Sequence, residues 1–150
     1  MVKKKRFDMK IKLVIVAAVT ALIAETASTQ VFVIGKGLGG ECFQKTENRF
    51  SNFRVAEQVC TRALREQTMT RQNRAATYVN RGVLRMREGL YEQALADYSE
   101  ALSLRPEMGA AYLNQGAAHI YLKDFDSALV ALNRAIDLDS PDLFAAHYNR

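Results

Sequence analysis

The amino-acid sequence predicts an all-α protein in which helical hairpins stack into an α–α superhelix. Two observations support this fold class: a block of residues is repeated after 34 positions, and apolar residues within each block recur at helical spacing. Gly89 is expected to end one helix of the first block and Pro106 the other. Because a single hairpin cannot bury its own apolar face, the hairpins are expected to stack on one another.

The repeated block is defined by ten positions whose residue types match. Tyr78, Asn80, Gly82, Tyr91, Ala94, Leu95, Tyr98, Ala101, Leu102 and Leu104 recur as Tyr112, Asn114, Gly116, Phe125, Ala128, Leu129, Leu132, Ala135, Ile136 and Leu138. The spacing predicts helices over residues 75–88 and 92–104, and again over residues 110–122 and 127–138. Gly82 and Gly116 are predicted to let the paired helices approach closely, with Tyr98 and Leu132 filling the space between them.

These residues resemble the tetratricopeptide repeat, in which an aromatic residue and a glycine in one helix precede Ala, an aromatic residue or Leu, Ala and Pro in the next. The resemblance is strong over residues 75–108 and good over residues 109–143, where one residue is inserted before Pro141. Arg85 and His119 depart from it, since the family often has a larger apolar or aromatic residue there. The whole chain is similar to small exported tetratricopeptide-repeat proteins of bacteria.

The predicted domain organisation follows from these patterns. We expect a signal peptide at residues 1–29, a Gly-rich leader at 30–40, a degenerate first hairpin at 41–74, repeats at 75–108 and 109–143, and the start of a third repeat at 144–150. Residues 71–74 are interpreted as a short insertion before the first good repeat.

The N-terminal segment has the layout of a secretory signal. Basic residues precede an apolar run at residues 13–24, and small polar residues follow it. A helix of that length is about 18 Å long, too short for a bilayer core of about 30 Å. We therefore predict a periplasmic or secreted protein that meets the membrane only through this segment if the segment is not cleaved.

Charge argues against a nucleic-acid partner. Residues 1–29 hold six of the 21 basic residues and two of the 16 acidic ones, so the rest of the chain is nearly balanced. The remaining charges are unevenly spread, because residues 36–87 contain eleven bases and four acids while residues 88–150 contain four bases and ten acids. Two interpretations stay open, a solvated surface or a field that steers a partner or a second copy of the chain.

Cys42 and Cys60 are the two cysteines of the chain. In an oxidising compartment such a pair predicts a disulfide, and a turn near residues 49–52 would bring two antiparallel helices level at these positions. The alternative is a pair of buried thiols that act as small apolar side chains.

The resemblance also implies a binding surface. In tetratricopeptide superhelices the first helix of each repeat lines the concave face, and in some members a ladder of asparagines there holds a peptide backbone. An amide offers both a donor and an acceptor, which suits a peptide group. The predicted partner-binding residues are Asn80, Asn114, Asn149, Val83, Arg87, Leu113 and Tyr121. The alternative is that the asparagines cap or solvate the helices locally.

No catalytic constellation is predicted, so the chain is interpreted as a binding protein and not an enzyme, without a cofactor or metal. Residues 35–40 carry the letters of a dinucleotide-binding turn, but helical repeats follow where that fold needs a second strand. His119 and His147 occupy positions that favour aromatic packing. The predicted function is to bind a protein or peptide partner, and the alternative is a scaffold that self-assembles through an unfinished C-terminal hairpin.

Overall fold

The computed structural model describes residues 37–138, and this part of the chain forms six α-helices and no strand. The helices are α1 (Leu38–Glu47), α2 (Phe53–Glu66), α3 (Arg71–Arg87), α4 (Tyr91–Leu104), α5 (Gly109–Tyr121) and α6 (Phe125–Asp137). The predicted all-α superhelix of helical repeats is confirmed. The predicted signal segment, residues 144–150 and Asn149 lie outside the described residues.

Consecutive helices pair into three hairpins, α1–α2, α3–α4 and α5–α6. The second helix of each hairpin also packs on the first helix of the next, so that α2 contacts α3 and α4 contacts α5. One cluster of buried side chains spans α3, α4 and α5, and includes Val79, Val83, Tyr98 and Ala111. The hairpins are therefore joined through shared apolar surface, as the repeat pattern requires.

Two helices begin earlier than the sequence pattern indicated. Residues 71–74, interpreted as an insertion, form the first turn of α3, because the Thr70 hydroxyl accepts a hydrogen bond from the Asn73 N–H at 3.1 Å. The end of the predicted leader is also helical, since α1 starts at Leu38. Gly37 precedes it with φ 115°, a conformation that glycine adopts readily. The Gly39 N–H donates to Gln67 Oε1 at 2.8 Å, so this glycine-rich turn packs against the end of α2.

The turns within the second and third hairpins have the same geometry. Gly89 adopts φ 73°, and the next N–H, that of Leu90, donates to the Arg85 carbonyl at 2.9 Å. Lys123 stands 34 residues later and adopts φ 62°, with the following N–H donating to the His119 carbonyl at 2.9 Å. Both turns close a helix with one left-handed residue, as predicted for Gly89.

The first hairpin is cross-linked. Cys42 on α1 and Cys60 on α2 form a disulfide with their Cα atoms 4.7 Å apart, and both side chains are fully buried. Leu84 from α3 packs into the same cluster. The disulfide predicted from the sequence is present, and it lies where the first hairpin meets the second.

Gly82 and Gly116 allow the close helix contacts that the sequence predicted. A Cβ atom at Gly82 would collide with the Tyr98 ring, and one at Gly116 would lie 2.7 Å from Leu132 Cγ. Tyr98 and Leu132 are themselves buried, so neither side chain has open space into which it can move. These two glycines thus set the distance between the helices of each hairpin.

Replacing Gly82 by alanine should destabilise the protein by about 1–3 kcal/mol, because the added methyl group overpacks a filled interface. Urea unfolding followed by circular dichroism would measure the change. Ser103→Ala is the matched control, since Ser103 is exposed on α4 and the new side chain is the same. Equal stability of the Gly82→Ala protein and wild type would contradict the packing role.

Candidate functional site

The predicted asparagine ladder is not on an accessible surface. Asn80 and Asn114 are 0% and 1% exposed, and Val83 and Leu113 are fully buried. The sequence placed these residues on an open concave face, and this location is corrected by the structure. The reason is helical register: Asn80 lies on the same stripe of α3 as Val79 and Val83, and that stripe packs into the core.

The other predicted partner-binding residues make contacts within the chain. Arg87 donates to the Thr46 carbonyl at 2.6 Å and so ties α3 to α1. Burial lowers the pKa of Arg87, and the nearby charge of Arg49 lowers it further. Tyr121 is 38% exposed and stacks on Tyr91 with ring centroids 4.9 Å apart. Of the seven residues, Arg87 and Tyr121 are the two in the described chain that solvent reaches.

An ionic network that the sequence did not predict fills the space between α2, α3 and α4. Arg81 donates to the Asp97 carboxylate, with the shortest contact at 2.7 Å, and also to the Thr61 hydroxyl at 3.0 Å. Arg85 donates to the same carboxylate at 3.0 Å and to Glu57 at 2.9 Å. Burial raises the pKa of Asp97 even though the two guanidinium groups oppose the shift.

A cleft of about 800 Å³ opens at the surface between α5 and α6. Its lining combines apolar, amide and charged side chains: Tyr112, Gln115, His119, Asp126, Ser127, Val130, Ala131, Asn133, Arg134 and Asp137. A concave surface with apolar walls and a few polar groups is the usual form of a binding site. The cleft is therefore the candidate functional site of the described chain.

Three positions of this cleft have counterparts in the ionic network of the preceding repeat. Gln115, His119 and Ala131 stand 34 residues after Arg81, Arg85 and Asp97. In the second hairpin those positions hold the ion pairs that fill the space between helices. In the third hairpin the shorter and uncharged Gln and Ala replace an Arg and an Asp, so no corresponding ion pair is formed. The sequence indicated unusual positions here, because Arg85 and His119 depart from the family pattern. That Arg85 lies in an ionic network and His119 in a cleft became apparent only from the packing of the helices.

Two charged contacts lie at the cleft, one between His119 and Asp124 and the other between Arg134 and Tyr112. His119 Nδ1 lies 3.3 Å from the Asp124 carboxylate, which also accepts the Ser127 N–H at 3.2 Å and so caps α6. The hydrogen bond from Ser127 holds the pKa of Asp124 below its ordinary value. The Arg134 guanidinium lies over the Tyr112 ring, 6.0 Å from its centroid. His, Asp and Ser are also the residue types of a hydrolytic triad, but here the carboxylate bonds the serine backbone, which is the geometry of a helix cap.

A family model described as tetratricopeptide repeat matches residues 73–140. Residues 73–140 thus form tetratricopeptide repeats. The matched range contains α4, α5, α6 and most of α3, so these repeats supply the cleft and, in the ionic network, Arg81, Arg85 and Asp97. Such repeats serve as protein interaction modules, which agrees with the predicted class of function.

Two curated proteins are similar to parts of the chain. A protein SGT1 homolog of rice, Oryza sativa subsp. japonica, is 33% identical over 91 residues, which cover 61% of this chain and 24% of that protein. A lipoprotein NlpI homolog of Haemophilus influenzae is 38% identical over 72 residues, which cover 48% of this chain and 23% of that protein. The chain thus matches about a quarter of the length of each relative.

Within residues 37–138, no helix is long and apolar enough to cross a membrane. Within the same residues, no group of three or more His, Cys, Asp or Glu side chains is arranged to hold a metal ion.

Proposed function

We propose that this chain is an exported interaction module that binds an extended polypeptide segment in the cleft between α5 and α6. The observation that carries the proposal is the cleft itself, which exists where the preceding hairpin is filled by ion pairs. The tetratricopeptide family supports a protein partner over a small molecule. The buried asparagines then stabilise the repeats, and the partner contacts the side chains of the cleft.

The chemistry of the cleft suggests what the bound segment carries. Val130 is 71% exposed at the cleft, and Phe125 and Leu129 on the same helix are 64% and 43% exposed. Exposed apolar side chains grouped in this way mark interaction sites. The carboxylates of Asp126 and Asp137 also line the cleft. We expect a segment with an apolar side chain next to a basic one, its backbone bonded by amides such as Gln115.

Export is supported by two independent features. The N-terminal residues have the charge and hydropathy layout of a secretory signal. The Cys42–Cys60 disulfide is of the kind that persists in oxidising compartments and is rare in the cytosol. The proposed location is accordingly the periplasm or the extracellular space.

Replacing Val130 by glutamate should weaken binding of the partner by about tenfold or more, because it places a charge against the apolar part of the segment. The partner would be identified by cross-linking in the periplasm of the exporting host, and its affinity measured by calorimetry. Ala96→Glu is the matched control, since Ala96 is the exposed position 34 residues earlier on α4.

The outcomes of this comparison are distinct. Loss of affinity in Val130→Glu but not in Ala96→Glu would support the cleft. Equal affinities of both variants and wild type would contradict it. Recovery of the chain itself as the sole cross-linked product, equally by all three proteins, would favour the self-assembling scaffold.

A further inference from the structure

The turn between α1 and α2 carries an exposed aromatic side chain. Phe50 is 98% exposed, the highest value among the large apolar residues of residues 37–138. Val55, one turn into α2, is 50% exposed. Arg49 and Arg54 flank the ring along the chain and are exposed as well. The feature lies on the first hairpin and shares no residue with the cleft.

Phe50 is held in this position by a well-bonded turn. Its N–H donates to Asn48 Oδ1 at 3.0 Å, and the Ser51 N–H donates to the Asn48 carbonyl at 2.9 Å. Asn52 then caps α2 by accepting the Val55 N–H at 3.3 Å. The Cys42–Cys60 disulfide fixes the two helices that carry the turn. The ring therefore projects from a defined turn between two cross-linked helices.

The surroundings of Phe50 are cationic. Arg87 from α3 lies close enough to Arg49 that the second charge contributes to lowering the pKa of Arg87, after burial as the larger cause. Residues 37–87 together contain ten bases and four acids, whereas residues 88–138 contain three bases and eight acids. The aromatic turn thus stands at the basic end of the molecule, and the cleft at the acidic end.

We propose that this turn docks on the surface of an anionic lipid bilayer, with Phe50 inserted among the headgroups and Arg49 and Arg54 against lipid phosphates. Clustered basic residues are attracted to anionic lipids, and aromatic rings partition into the interfacial layer. A protein partner is less well matched, because interaction hot spots are ringed by further contact residues that exclude water. Here a single ring protrudes and charged side chains surround it. The sequence predicted contact with the membrane only through the signal segment. The contact proposed here, through the turn, is additional.

The absence of tryptophan from the sequence provides a direct test. Phe50→Trp in the full chain places a single fluorophore at the turn, and Phe125→Trp places the control fluorophore at the other exposed phenylalanine of residues 37–138. Vesicles of phosphatidylcholine with phosphatidylglycerol should shift the emission of the Phe50→Trp protein to shorter wavelength. Brominated acyl chains should quench it. The Phe125→Trp protein should show neither effect, nor should either protein with pure phosphatidylcholine vesicles.

Charge reversal separates the turn from general attraction to the vesicle. In the Phe50→Trp protein, Arg49→Glu with Arg54→Glu should abolish the emission shift. Arg62→Glu with Arg65→Glu changes the net charge equally at exposed positions of α2 and should leave the shift in place. The apolar run at residues 13–24 of the predicted signal segment is common to all variants. Any binding of vesicles through it is therefore the same in each protein and cancels in the comparison.

Three results would overturn the proposal. If anionic vesicles left the emission spectrum of the Phe50→Trp protein unchanged, the turn would not insert into the bilayer, and a protein partner for Phe50 would be favoured. Equal responses of the two tryptophan variants, or equal losses in the two charge-reversal variants, would show that the attraction is not made by this turn.

Discussion

Replacing Asp97 by alanine is expected to destabilise the protein by about 3–5 kcal/mol, the range found when one partner of a buried ion pair is removed. The side chain of Asp97 is 3% exposed and accepts hydrogen bonds from both Arg81 and Arg85. Without the carboxylate, the two guanidinium groups remain between α2, α3 and α4 with fewer acceptors. Urea unfolding at neutral pH would measure the loss.

Asp97→Asn is the matched control, and it should cost clearly less than alanine. The amide keeps an oxygen acceptor for the arginines and the shape of the side chain. It removes the negative charge, whose burial is the main cause of the raised pKa of Asp97. Equal losses for the two variants would show that the charge, and not the acceptor, holds the network together.

The direction of the pKa shift also fixes the pH dependence. Because the folded-state pKa of Asp97 lies above its ordinary value, the carboxyl stabilises the fold most when protonated, and this contribution is lost as the pH rises through the folded pKa. The stability of wild type relative to Asp97→Asn should therefore increase on acidification from neutral pH toward pH ~4, near the ordinary pKa of an aspartate. A decrease in the stability of wild type relative to Asp97→Asn on acidification would contradict a raised pKa of Asp97.

Removing the disulfide by Cys42→Ala with Cys60→Ala is expected to cost about 3 kcal/mol by the chain-entropy estimate for a loop of this length. The cross-link closes a loop with a sequence separation of 18 residues and joins α1 to α2 at a buried contact with Leu84. Calorimetric unfolding of the oxidised wild type and the double variant would give the difference.

Reduced wild type is the control for this experiment, because it loses the cross-link while keeping both sulfur atoms. It should unfold at nearly the same temperature as the double alanine variant. If reduction left the unfolding temperature of wild type unchanged, the disulfide would contribute nothing to stability. The amide protons of α5 and α6 should stay protected in all three proteins, since α5 packs on α3 and α4 and α6 packs on α5.

The periodicity of the sequence was sufficient to predict the hairpins and their principal contacts. Matching residues 34 positions apart predicted matching helices, and small residues at Gly82 and Gly116 mark close helix contacts because a side chain there would collide with the facing helix. The disulfide was one of two interpretations of Cys42 and Cys60, favoured by their spacing and by the predicted compartment. Local signals of this kind depend on residues near one another in the chain. The exceptions were the starts of α1 and α3, and at α3 the Thr70 cap was not recognised.

The candidate site depended on the tertiary structure. Whether Asn80 faces solvent or the core is decided by which stripe of α3 meets its neighbours, and the sequence pattern of one helix does not distinguish the two. The cleft likewise became apparent only in the folded chain, where Gln115 and Ala131 line it at the positions that Arg81 and Asp97 occupy in the preceding repeat. The sequence by itself thus determined the repeat and the helix pairing, and it predicted the cross-link as one of two interpretations. Only the packing of the helices against one another decided which side chains are buried and where a cleft opens, because burial is a property of all the surfaces that meet at a position.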